Sequence, residues 1–423
     1  ACIVEGSFFE ADWPAILRDL PDPLLVIGNP PWVTNTELGS LGSSNLPEKT
    51  NFKNHTGLEA LTGKSNFDIS EWMLLRLLEW LDGRRATLAL LCKTAVARKV
   101  LEHAWSHGVS LAEVNMFLID ANTCFGAAVD ACLLVCTLGL SRPALESVVY
   151  RSITDDTPVS TIGFRDGHLL ADVGAYERWR HLHGKHGYRW RSGIKHDCAK
   201  VMELCKEGNR YRNGLNELVD LEEDFVYPMV KGSAAAKGGD IVPTRWMLVT
   251  QRSIGDDTTA IAKSAPKTWE YLSSHAALLD RRASSIYRNR PPFCIFGVGN
   301  YSFAPWKLAI SSLHKKLVFA EIGSLEGKPI VLDDTCYFLP FETEEQMRLI
   351  ARLLRSDTAR EFFSAFVFWD AKRPITAALL QRLDLVALGR ELGCDRRTLK
   401  LCGESSRLSP DAPISGSSQR RLF

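Results

Sequence analysis

The first 140 residues alternate between short continuous apolar runs and stretches with helical periodicity. A short aliphatic run bounded by turn residues predicts a strand covered on both faces, whereas apolar spacings of three and four predict an amphipathic helix. The predicted strands are Ile3 to Phe8, Leu24 to Ile27, Ala86 to Cys92, Leu111 to Ile119 and Ala131 to Leu138. Strands that alternate with helical segments predict an α/β fold in which helices cover a parallel sheet.

The sequence also predicts two helices and one hairpin in this first domain. The segment DISEWMLLRLLEWL has Asp68 or Ser70 as its N-cap and apolar residues at helical spacing, and TAVARKVLEHAW, residues 94–105, predicts a second helix. The last two strands are joined by DANTCFGAAVD, which requires no helix. We therefore expect these strands to form an antiparallel hairpin that closes the edge of the sheet.

The pattern changes near Arg142, where shorter strands, more turns and interleaved basic and aromatic residues begin. This change predicts a first domain of residues 1–141 and a second domain of residues 142–400. The Ser/Pro-rich residues 401–423 are expected to form a disordered tail. Within the second domain, the small residues of KGSAAAKGGD, residues 231–240, predict a flexible loop.

The charge of the chain is divided unevenly between these domains. Hydrophobic residues make up 45% of the 423 residues, as in an ordinary globular protein, and the net charge is +1. Residues 1–141 carry a net charge of −6, which leaves +7 for residues 142–423. The second domain is therefore the part expected to meet a polyanion.

The sequence indicates no disulfide framework, membrane span or metal site. The 11 cysteines include no Cys-x-x-Cys pair, which favours a reducing cytoplasm. No apolar run approaches the roughly 18 residues of a membrane span, and ACIVEGSFFE is not a signal sequence. Four histidines have no carboxylate or cysteine at a regular ligand spacing: His181, His183, His186 and His196.

The most informative stretch is LLVIGNPPWVTN, residues 24–35, where a predicted strand ends in Asn29, Pro30, Pro31 and Trp32. Two prolines fix φ and donate no hydrogen bonds, so the loop displays carbonyl acceptors beside an amide and an indole. The tetrapeptide resembles the catalytic motif of the N6-adenine DNA methyltransferases, Asn/Asp/Ser-Pro-Pro-aromatic. A Pro-Pro loop that merely terminates a strand is the alternative.

This resemblance implies methyl transfer from S-adenosylmethionine to an adenine flipped out of double-stranded DNA. The side-chain oxygen of Asn29 and the carbonyl of Pro30 would accept the two hydrogens of the adenine amine, while Trp32 would stack on the base. Pro31 completes the motif. The resemblance also extends to CFGAAVDACLLVCTL, where Phe125 would form the other face of the base pocket. An ordinary hairpin core residue is an equally weighted interpretation of Phe125.

Beyond residue 142, WRSGIKHDCAKVMEL, VDLEEDFVYPMVKGS and FGVGNYSFAPWKLAISSLHKKLVF resemble the target-recognition domain of type II restriction-modification methyltransferases. The resemblance covers most of residues 1–400 and indicates the γ class. It implies an α/β first domain that contains only the C-terminal half of a Rossmann-like methyltransferase sheet. An α+β target-recognition domain would follow.

Two basic stretches with interleaved aromatic residues predict DNA contacts, because Lys and Arg neutralise phosphates and Arg can also read guanine. The predicted contacts are Arg178, Arg180, Lys185, Arg189, Arg191, Lys195, Arg281, Arg282, Arg288 and Arg290. For any single one of these residues, a solvated basic face would look similar.

The parts that hold the cofactor in this family are not found before residue 29, since no Gly-rich turn occurs there. The family has an Asp near the cofactor's adenine where this chain has Ser7, so Ser7, Phe8 and Asp12 are the predicted cofactor contacts. We expect another polypeptide or a preceding region to supply the cofactor-binding strands, and Leu24 to Ile27 to be an apolar edge without them. A permuted enzyme that uses Gly297 and Gly299 is the alternative.

Other functions remain open from the sequence. Protein-glutamine and RNA-guanine methyltransferases share the tetrapeptide, although the basic, aromatic second domain favours DNA. A catalytically silent DNA-specificity protein would result if no partner supplied the cofactor strands. The Glu-x-Lys of LEGK, residues 325–328, occurs in nuclease sites, but a surface turn explains it better.

Overall fold

A computed structural model describes residues 5–33, 68–139, 143–185, 187–239 and 241–403. The described residues form two compact units, which divide between residues 177 and 178. The predicted strand residues Ile3 and Val4, the histidine at 186 and residues 404–423 of the predicted tail lie outside the described ranges.

The described strands of the first unit form one mixed sheet in the order β1-β2-β4-β3-β5-β6-β7. The strands are β1 Leu24–Gly28, β2 Ala86–Lys93, β3 Leu111–Asp120, β4 Asp130–Leu138, β5 Glu146–Tyr150, β6 Pro158–Arg165 and β7 His168–Leu170. The described helices up to residue 179 are α1 Trp13–Arg18, α2 Ile69–Leu81, α3 Thr94–Ser106, α4 Ala121–Phe125 and α5 Val173–Trp179. The predicted α/β fold class and the predicted elements β1 to β4, α2 and α3 are confirmed.

Helices α2 and α3 follow from local capping and periodicity. The side chain of Asp68, the N-cap of α2, accepts a hydrogen bond from the backbone of Ser70. In α2, Leu74, Leu77, Leu78 and Leu81 are all buried, as the helical spacing predicts. Strand β2 alternates buried and half-buried residues along its whole length, so its buried face can pack against the helices.

The predicted first strand is wrong for its described residues, Glu5 to Phe8. The chain forms a turn here, in which the carbonyl of Ser7 accepts hydrogen bonds from the backbone of Glu10 and Ala11. The indole of Trp13 donates to the carbonyl of Phe8 at 2.8 Å. These local hydrogen bonds and the packing of Phe8 on Trp13 compete successfully with an extended conformation.

The hairpin of β3 and β4 is antiparallel as predicted, but it does not close the edge of the sheet. Strand β4 lies between β2 and β3, and β3 pairs in parallel with β5, which continues the sheet. The loop between them also contains the short helix α4, because Asp120 caps its start and Gly126, at φ 65°, ends it. The first compact unit therefore extends past the predicted boundary near Arg142, through β5 to β7.

Strand β1 lies at the end of the sheet and pairs only with β2 among the described strands. The side chains of Leu25 and Ile27 are 66% and 72% exposed. The expectation of a strand covered on both faces is therefore wrong, whereas the expectation of an exposed apolar edge describes β1 correctly.

The described part of the second unit has three sheets, in the orders β11-β10-β9-β13-β12-β18, β15-β14-β19-β8 and β16-β17. The strands are β8 Arg191–Ser192, β9 Glu203–Glu207, β10 Arg210–Asn213, β11 Leu218–Val219, β12 Val226–Val230, β13 Arg245–Leu248, β14 Trp306–Ser311, β15 Phe319–Ile322, β16 Ser324–Leu325, β17 Lys328–Pro329, β18 Val331–Leu332 and β19 Cys336–Phe341. The helices are α6 Ala199–Met202, α7 Gly232–Ala235, α8 Ile261–Ser264, α9 Pro266–Ser274, α10 Ala276–Asp280, α11 Glu344–Leu354, α12 Asp357–Ser364, α13 Ala377–Leu380, α14 Leu385–Glu391 and α15 Arg396–Gly403.

Two segments of this unit are more regular than the sequence predicts. Residues 231–239 contain α7, in which the backbone of Gly232 donates to Thr335 Oγ1 at 2.8 Å and Ala235 is buried. The small residues allow this close packing, since a Cβ at position 232 would lie only 2.7 Å from that hydroxyl oxygen. Residues 401–403, expected in the disordered tail, belong to α15.

No helix in the described ranges is long and apolar enough to cross a membrane.

Candidate functional site

The Asn-Pro-Pro-Trp loop is placed by the pairing of β1 with β2. Gly28, the last residue of β1, lies opposite Leu90 in the parallel register. A Cβ at Gly28 would lie 3.1 Å from Leu90 Cδ2, so glycine allows the two strands to approach closely just before the loop. Asn29 then follows at the exposed carboxyl end of the strand, where open α/β sheets bind ligands.

Two long-range hydrogen bonds hold the loop against the rest of the unit. The indole Nε1 of Trp32 donates to the carbonyl oxygen of Leu91 in β2 at 3.3 Å. The backbone of Ile69, at the start of α2, donates to the carbonyl of Val33 at 3.0 Å. In both bonds the acceptor is a backbone carbonyl, which every residue carries, so the sequence gives no signal for either partner.

An ion pair joins the same start of α2 to the end of β2. Lys93 Nζ lies 2.8 Å from Asp68 Oδ2, and the Asp68 side chain is 8% exposed. Its other oxygen, Oδ1, accepts from the hydroxyl of Ser70 at 2.5 Å. Asp68 is predicted as a helix cap, but its ion pair with Lys93 at the end of β2 is not visible in the sequence.

Phe125 reaches the loop from the β3–β4 connection. Asp120 begins α4 by accepting hydrogen bonds from the backbone and hydroxyl of Thr123, and these bonds lower the pKa of its carboxyl group. Phe125 is the last residue of α4 and is 50% exposed. Its ring contacts Trp32 edge to face, with ring centroids 5.6 Å apart and an interplanar angle of 84°. The structure thus brings together two aromatic residues that are 93 positions apart.

A cavity of about 260 Å³ opens between these residues. Its lining residues are Asn29, Pro30, Pro31, Trp32, Phe125 and Ala127. All four residues of the tetrapeptide, and the aromatic residue predicted to face them, therefore line one cavity. A concave site with aromatic walls and a few polar groups is typical of small-molecule and base recognition.

The polar groups of Asn29 and Pro30 in this cavity include two hydrogen-bond acceptors, the carboxamide oxygen and the backbone carbonyl oxygen. Among the described residues, neither the Asn29 carboxamide nor the Pro30 carbonyl has a hydrogen-bond partner. Asn29 is exposed, and the prolines contribute no donors of their own. The arrangement can accept two hydrogen bonds from a planar amine while an aromatic ring contacts its face or edge.

The predicted cofactor contacts do not line this cavity. The hydroxyl of Ser7 accepts from the backbone of Phe9 at 3.3 Å, and Asp12 caps α1 through Ala15 at 3.1 Å. Phe8 packs against Trp13, with ring centroids 4.9 Å apart.

The local contacts of Ser7 and Asp12 use polar groups that are predicted to contact S-adenosylmethionine. The polar groups of Ser7 and Asp12 are used in local structure, and no Gly-rich turn precedes the loop among residues 5–28. Ser7, Phe8 and Asp12 therefore stay predicted cofactor contacts, and the structure shows them in local interactions only.

The alternative glycine pair is a turn within the second unit. Gly297, at φ 67°, lies against Gly193, because a Cβ at position 297 would lie 2.3 Å from the Gly193 carbonyl oxygen. Gly299 is followed by a single 3-10 turn, Asn300–Phe303, and not by a helix that could present its N-terminus to a phosphate.

Several other motif candidates also have structural explanations. In LEGK, Glu326 and Gly327 form the turn between β16 and β17, both at positive φ. His181 Nε2 lies 3.0 Å from Glu391 Oε2, and His196 Nε2 lies 3.6 Å from Glu203 Oε1. Within the described ranges, no group of three or more His, Cys, Asp or Glu residues could hold a metal ion.

The first basic stretch, residues 178–195, is partly structural. Arg178 pairs with Glu361 at 2.9 Å, and Arg191 is buried with its guanidinium 4.6 Å from the centre of the Tyr301 ring. Lys195 lies 3.5 Å from Asp197. Three other predicted contacts are exposed: Arg180, Lys185 and Arg189.

The second basic stretch lies directly against the end of the first. The hydroxyl of Tyr287 donates to the carbonyl of Lys195 at 3.2 Å, and Arg282 Nη1 lies 3.5 Å from the carbonyl oxygen of His196. Three predicted DNA contacts of this stretch are exposed: Arg281, Arg288 and Arg290.

A buried carboxylate, not singled out from the sequence, organises further cations nearby. Glu203 is 5% exposed, and its oxygens lie 2.6 Å from Lys231 Nζ and 3.1 Å from Arg245 Nη1. Burial alone would raise the pKa of Glu203, but hydrogen bonds from His196 and Lys231 and the charge of Lys231 lower it to about 2. Glu203 therefore stays ionised and holds Lys231 and Arg245 side by side.

The fold of this chain is similar to that of one solved restriction-modification enzyme. The solved structure of the type IIL restriction-modification enzyme MmeI in complex with DNA aligns with a TM-score of 0.52 at 12% identity, over 88% of this chain and 48% of that chain. This chain therefore spans about half the length of MmeI. The type IIG restriction endonuclease BpuSI aligns with a TM-score of only 0.27, over 87% of this chain and 48% of that chain, at 12% identity.

Sequence similarity gives the family. The type II methyltransferase M.NspV of Nostoc sp. (strain ATCC 29411 / PCC 7524) is 47% identical over 386 residues, which are 91% of this chain and 80% of that protein. The chain therefore belongs to the type II methyltransferases. No family model matches it.

Proposed function

We propose that this protein methylates the N6 amine of adenine in double-stranded DNA as part of a restriction-modification system. The observation that carries the proposal is the cavity of about 260 Å³ that Asn29, Pro30, Trp32 and Phe125 line together. The methyltransferase relative and the DNA-bound restriction-modification enzyme of similar fold support it.

The acceptor groups explain how the chain would activate its target. The lone pair of an aromatic amine is delocalised into the ring, so the nitrogen is a poor nucleophile. Hydrogen bonds from the two amine hydrogens to the Asn29 side-chain oxygen and the Pro30 carbonyl would concentrate electron density on the nitrogen. Because neither acceptor has a partner among the described residues, both are free to accept these bonds.

The aromatic residues would hold the base in the cavity. A flipped base loses its stacking in the duplex, and contact with an aromatic side chain replaces part of that energy. Trp32 is fixed by its hydrogen bond to Leu91, so its ring offers a defined surface. The half-exposed ring of Phe125 would form the second wall.

The methyl donor implied by the methyltransferase relative is S-adenosylmethionine, which supplies an electrophilic methyl group when bound. Ser7, Phe8 and Asp12 stay the predicted contacts for it. A titration of the chain with S-adenosylmethionine by calorimetry, with and without an adenine-containing duplex, tests whether this chain alone holds the donor. DNA binding without cofactor binding would favour the second candidate, a catalytically silent DNA-specificity protein. This candidate is supported by the local hydrogen bonds of Ser7 and Asp12, which occupy polar groups predicted to contact the cofactor.

Substitution of Asn29 tests the proposed chemistry. We expect Asn29→Ala to abolish N6-methyladenine formation while DNA affinity is retained, because only the acceptor is lost. Asn29→Asp is the matched control, since aspartate keeps an acceptor and occurs in the family motif, so measurable methylation should remain. Mass spectrometry of nucleosides from treated duplex DNA gives the product. Unchanged methylation by Asn29→Ala would exclude this mechanism, and a product insensitive to deoxyribonuclease would indicate a protein or RNA substrate.

A further inference from the structure

The turn Arg288–Asn289–Arg290 presents three polar side chains to solvent on the second unit. Asn289 adopts φ 56°, a left-handed conformation that asparagine tolerates better than most residues. Neither arginine forms an ion pair or a side-chain hydrogen bond with any residue that the structure describes. Their guanidinium donors are therefore open to an external ligand.

The residues before this turn are fixed. Tyr287 donates a hydrogen bond to the carbonyl of Lys195 at 3.2 Å, and its ring contacts Phe296 with centroids 5.3 Å apart. The guanidinium carbon of Arg282 lies 3.7 Å from the centre of the same ring, in cation–π contact. Tyr287 thus anchors the N-terminal side of the turn.

Arg282 connects the two sides of the segment. Its Nε donates to the carbonyl of Leu279 at 2.7 Å, and its Nη1 donates to the carbonyl of Cys294 at 2.7 Å. Since its donors are used within the protein, Arg282 acts as a positioning residue and is a weaker candidate for DNA contact than its exposed neighbours.

The residues after the turn are fixed as well. Phe293 is 7% exposed, packs on Trp269 with ring centroids 5.3 Å apart, and accepts a hydrogen bond from Thr250 Oγ1 at 2.9 Å. The hydroxyl of Thr258 donates to the carbonyl of Pro292. Phe293 has φ 61°, which is strained for an aromatic residue and persists only because these contacts hold it.

We propose that Arg288, Asn289 and Arg290 read base edges of the target DNA, an inference that rests on the proposed function. Arginine can donate two hydrogen bonds to the O6 and N7 atoms of guanine, and asparagine can bond adenine at N6 and N7 in the same two-point manner. A rigidly mounted tip with open donors suits this task, because a two-point contact with a base edge requires a defined geometry, and a rigid support maintains it. The recognised sequence would therefore contain guanine and adenine at neighbouring base pairs.

Selection from a randomised DNA duplex library tests the proposal with the full chain. The wild type, Arg288→Ala, Asn289→Gly and Arg290→Ala are each used to enrich bound duplexes, which are then sequenced. Glycine at position 289 keeps the left-handed backbone and removes only the side chain. Each variant should lose discrimination at its own base pair, by roughly five- to 150-fold for one two-point contact, and keep the rest of the motif.

Two further variants distinguish base readout from other roles. Arg281→Ala removes an exposed arginine of the same segment outside the turn, so it should weaken binding equally on all sequences and leave the motif unchanged. Arg282→Ala removes the positioning contacts, so discrimination should fall at all three base pairs together. Urea unfolding of every variant identifies losses of fold.

The outcomes separate the two proposals. If folded Arg288→Ala, Asn289→Gly and Arg290→Ala all enrich the wild-type motif with wild-type stringency, base reading by this turn is wrong. If the motif relaxes as expected but the enriched duplex gains no N6-methyladenine although calorimetry shows that S-adenosylmethionine is bound, the proposed methylation fails and the base-reading inference stands. Enrichment of no motif by the wild type would overturn the base-reading inference alone, because methylation is measured separately on an adenine-containing duplex.

Discussion

The indole nitrogen of Trp32 donates a hydrogen bond to the carbonyl oxygen of Leu91 at 3.3 Å, across 59 residues of sequence. This bond fixes the aromatic end of the Asn-Pro-Pro-Trp loop to β2, the strand beside it in the sheet. The same loop is tied to α2 through the carbonyl of Val33. The loop therefore owes its position to two neighbouring elements as well as to its prolines.

Trp32→Phe should lower methyl transfer more than DNA affinity. Phenylalanine keeps an aromatic face but cannot donate to Leu91, so the loop loses one anchor, with a stability cost of about 1 kcal/mol. Initial rates and binding curves on the same duplex measure the two effects. Trp105→Phe is the control, because Trp105 is a buried indole of α3 outside the cavity, and it should leave the rate unchanged. Equal rates for Trp32→Phe and wild type would show that the anchor is dispensable.

Lys93→Met should destabilise the first unit. It leaves the nearly buried Asp68 carboxylate without its cation, at a cost of about 1–3 kcal/mol in the free energy of unfolding. In Asp68→Asn, by contrast, the amide oxygen can still cap α2. A double-mutant cycle by urea unfolding measures the coupling, and the double variant should recover part of the loss because no buried charge is left unpaired. Additive effects would mean that the two side chains do not interact.

The exposed edge at β1 should promote self-association. Leu25 and Ile27 are apolar, largely exposed and located on a strand whose outer edge has no partner among the described strands. We expect concentration-dependent association at micromolar concentration by sedimentation velocity, and less association in the Leu25→Lys/Ile27→Lys variant, because charge disfavours edge pairing. Ile153→Lys changes a similarly exposed residue in a turn and serves as the control. A monomeric wild type would contradict the prediction.

Lys307 should make the second unit less stable below neutral pH than at alkaline pH. Its side chain is fully buried in β14, where Nζ donates to the carbonyl of Ala304 at 2.6 Å, and burial lowers its pKa to about 7. The ordinary pKa is about 10.4, so the unfolded chain binds more protons between these values. The free energy of unfolding should therefore rise from about pH 7 to about pH 10, by at most about 5 kcal/mol.

Lys307→Met removes this dependence. The variant should be more stable than the wild type at pH 6, and the difference should shrink by pH 9, as measured by urea unfolding midpoints. Methionine has a similar length and no charge to bury. Lys316→Met, at an exposed position, should change neither quantity. A wild-type midpoint that does not vary between pH 6 and pH 9 would refute the assignment of Lys307.

The sequence by itself determined the elements that depend on local patterns. The apolar runs of β1 to β4, the periodicity of α2 and α3 and the cap at Asp68 are readable because they arise from neighbours in the chain. The Asn29 to Trp32 loop was recognisable for the same reason, since four adjacent residues carry its chemistry. The resemblance built on them led to the family that the similarity to M.NspV shows.

Tertiary structure decided what depends on distant partners. The parallel pairing of β3 with β5, the contact of Trp32 with Phe125 and the meeting of Tyr287 with Lys195 join residues that no local pattern links. Packing also decided which charges are buried, as at Lys307, and which small residues are ordered, as at Gly232. The physical reason is that hydrogen bonding and burial are settled by the whole core, whereas a sequence pattern specifies only the preference of each segment.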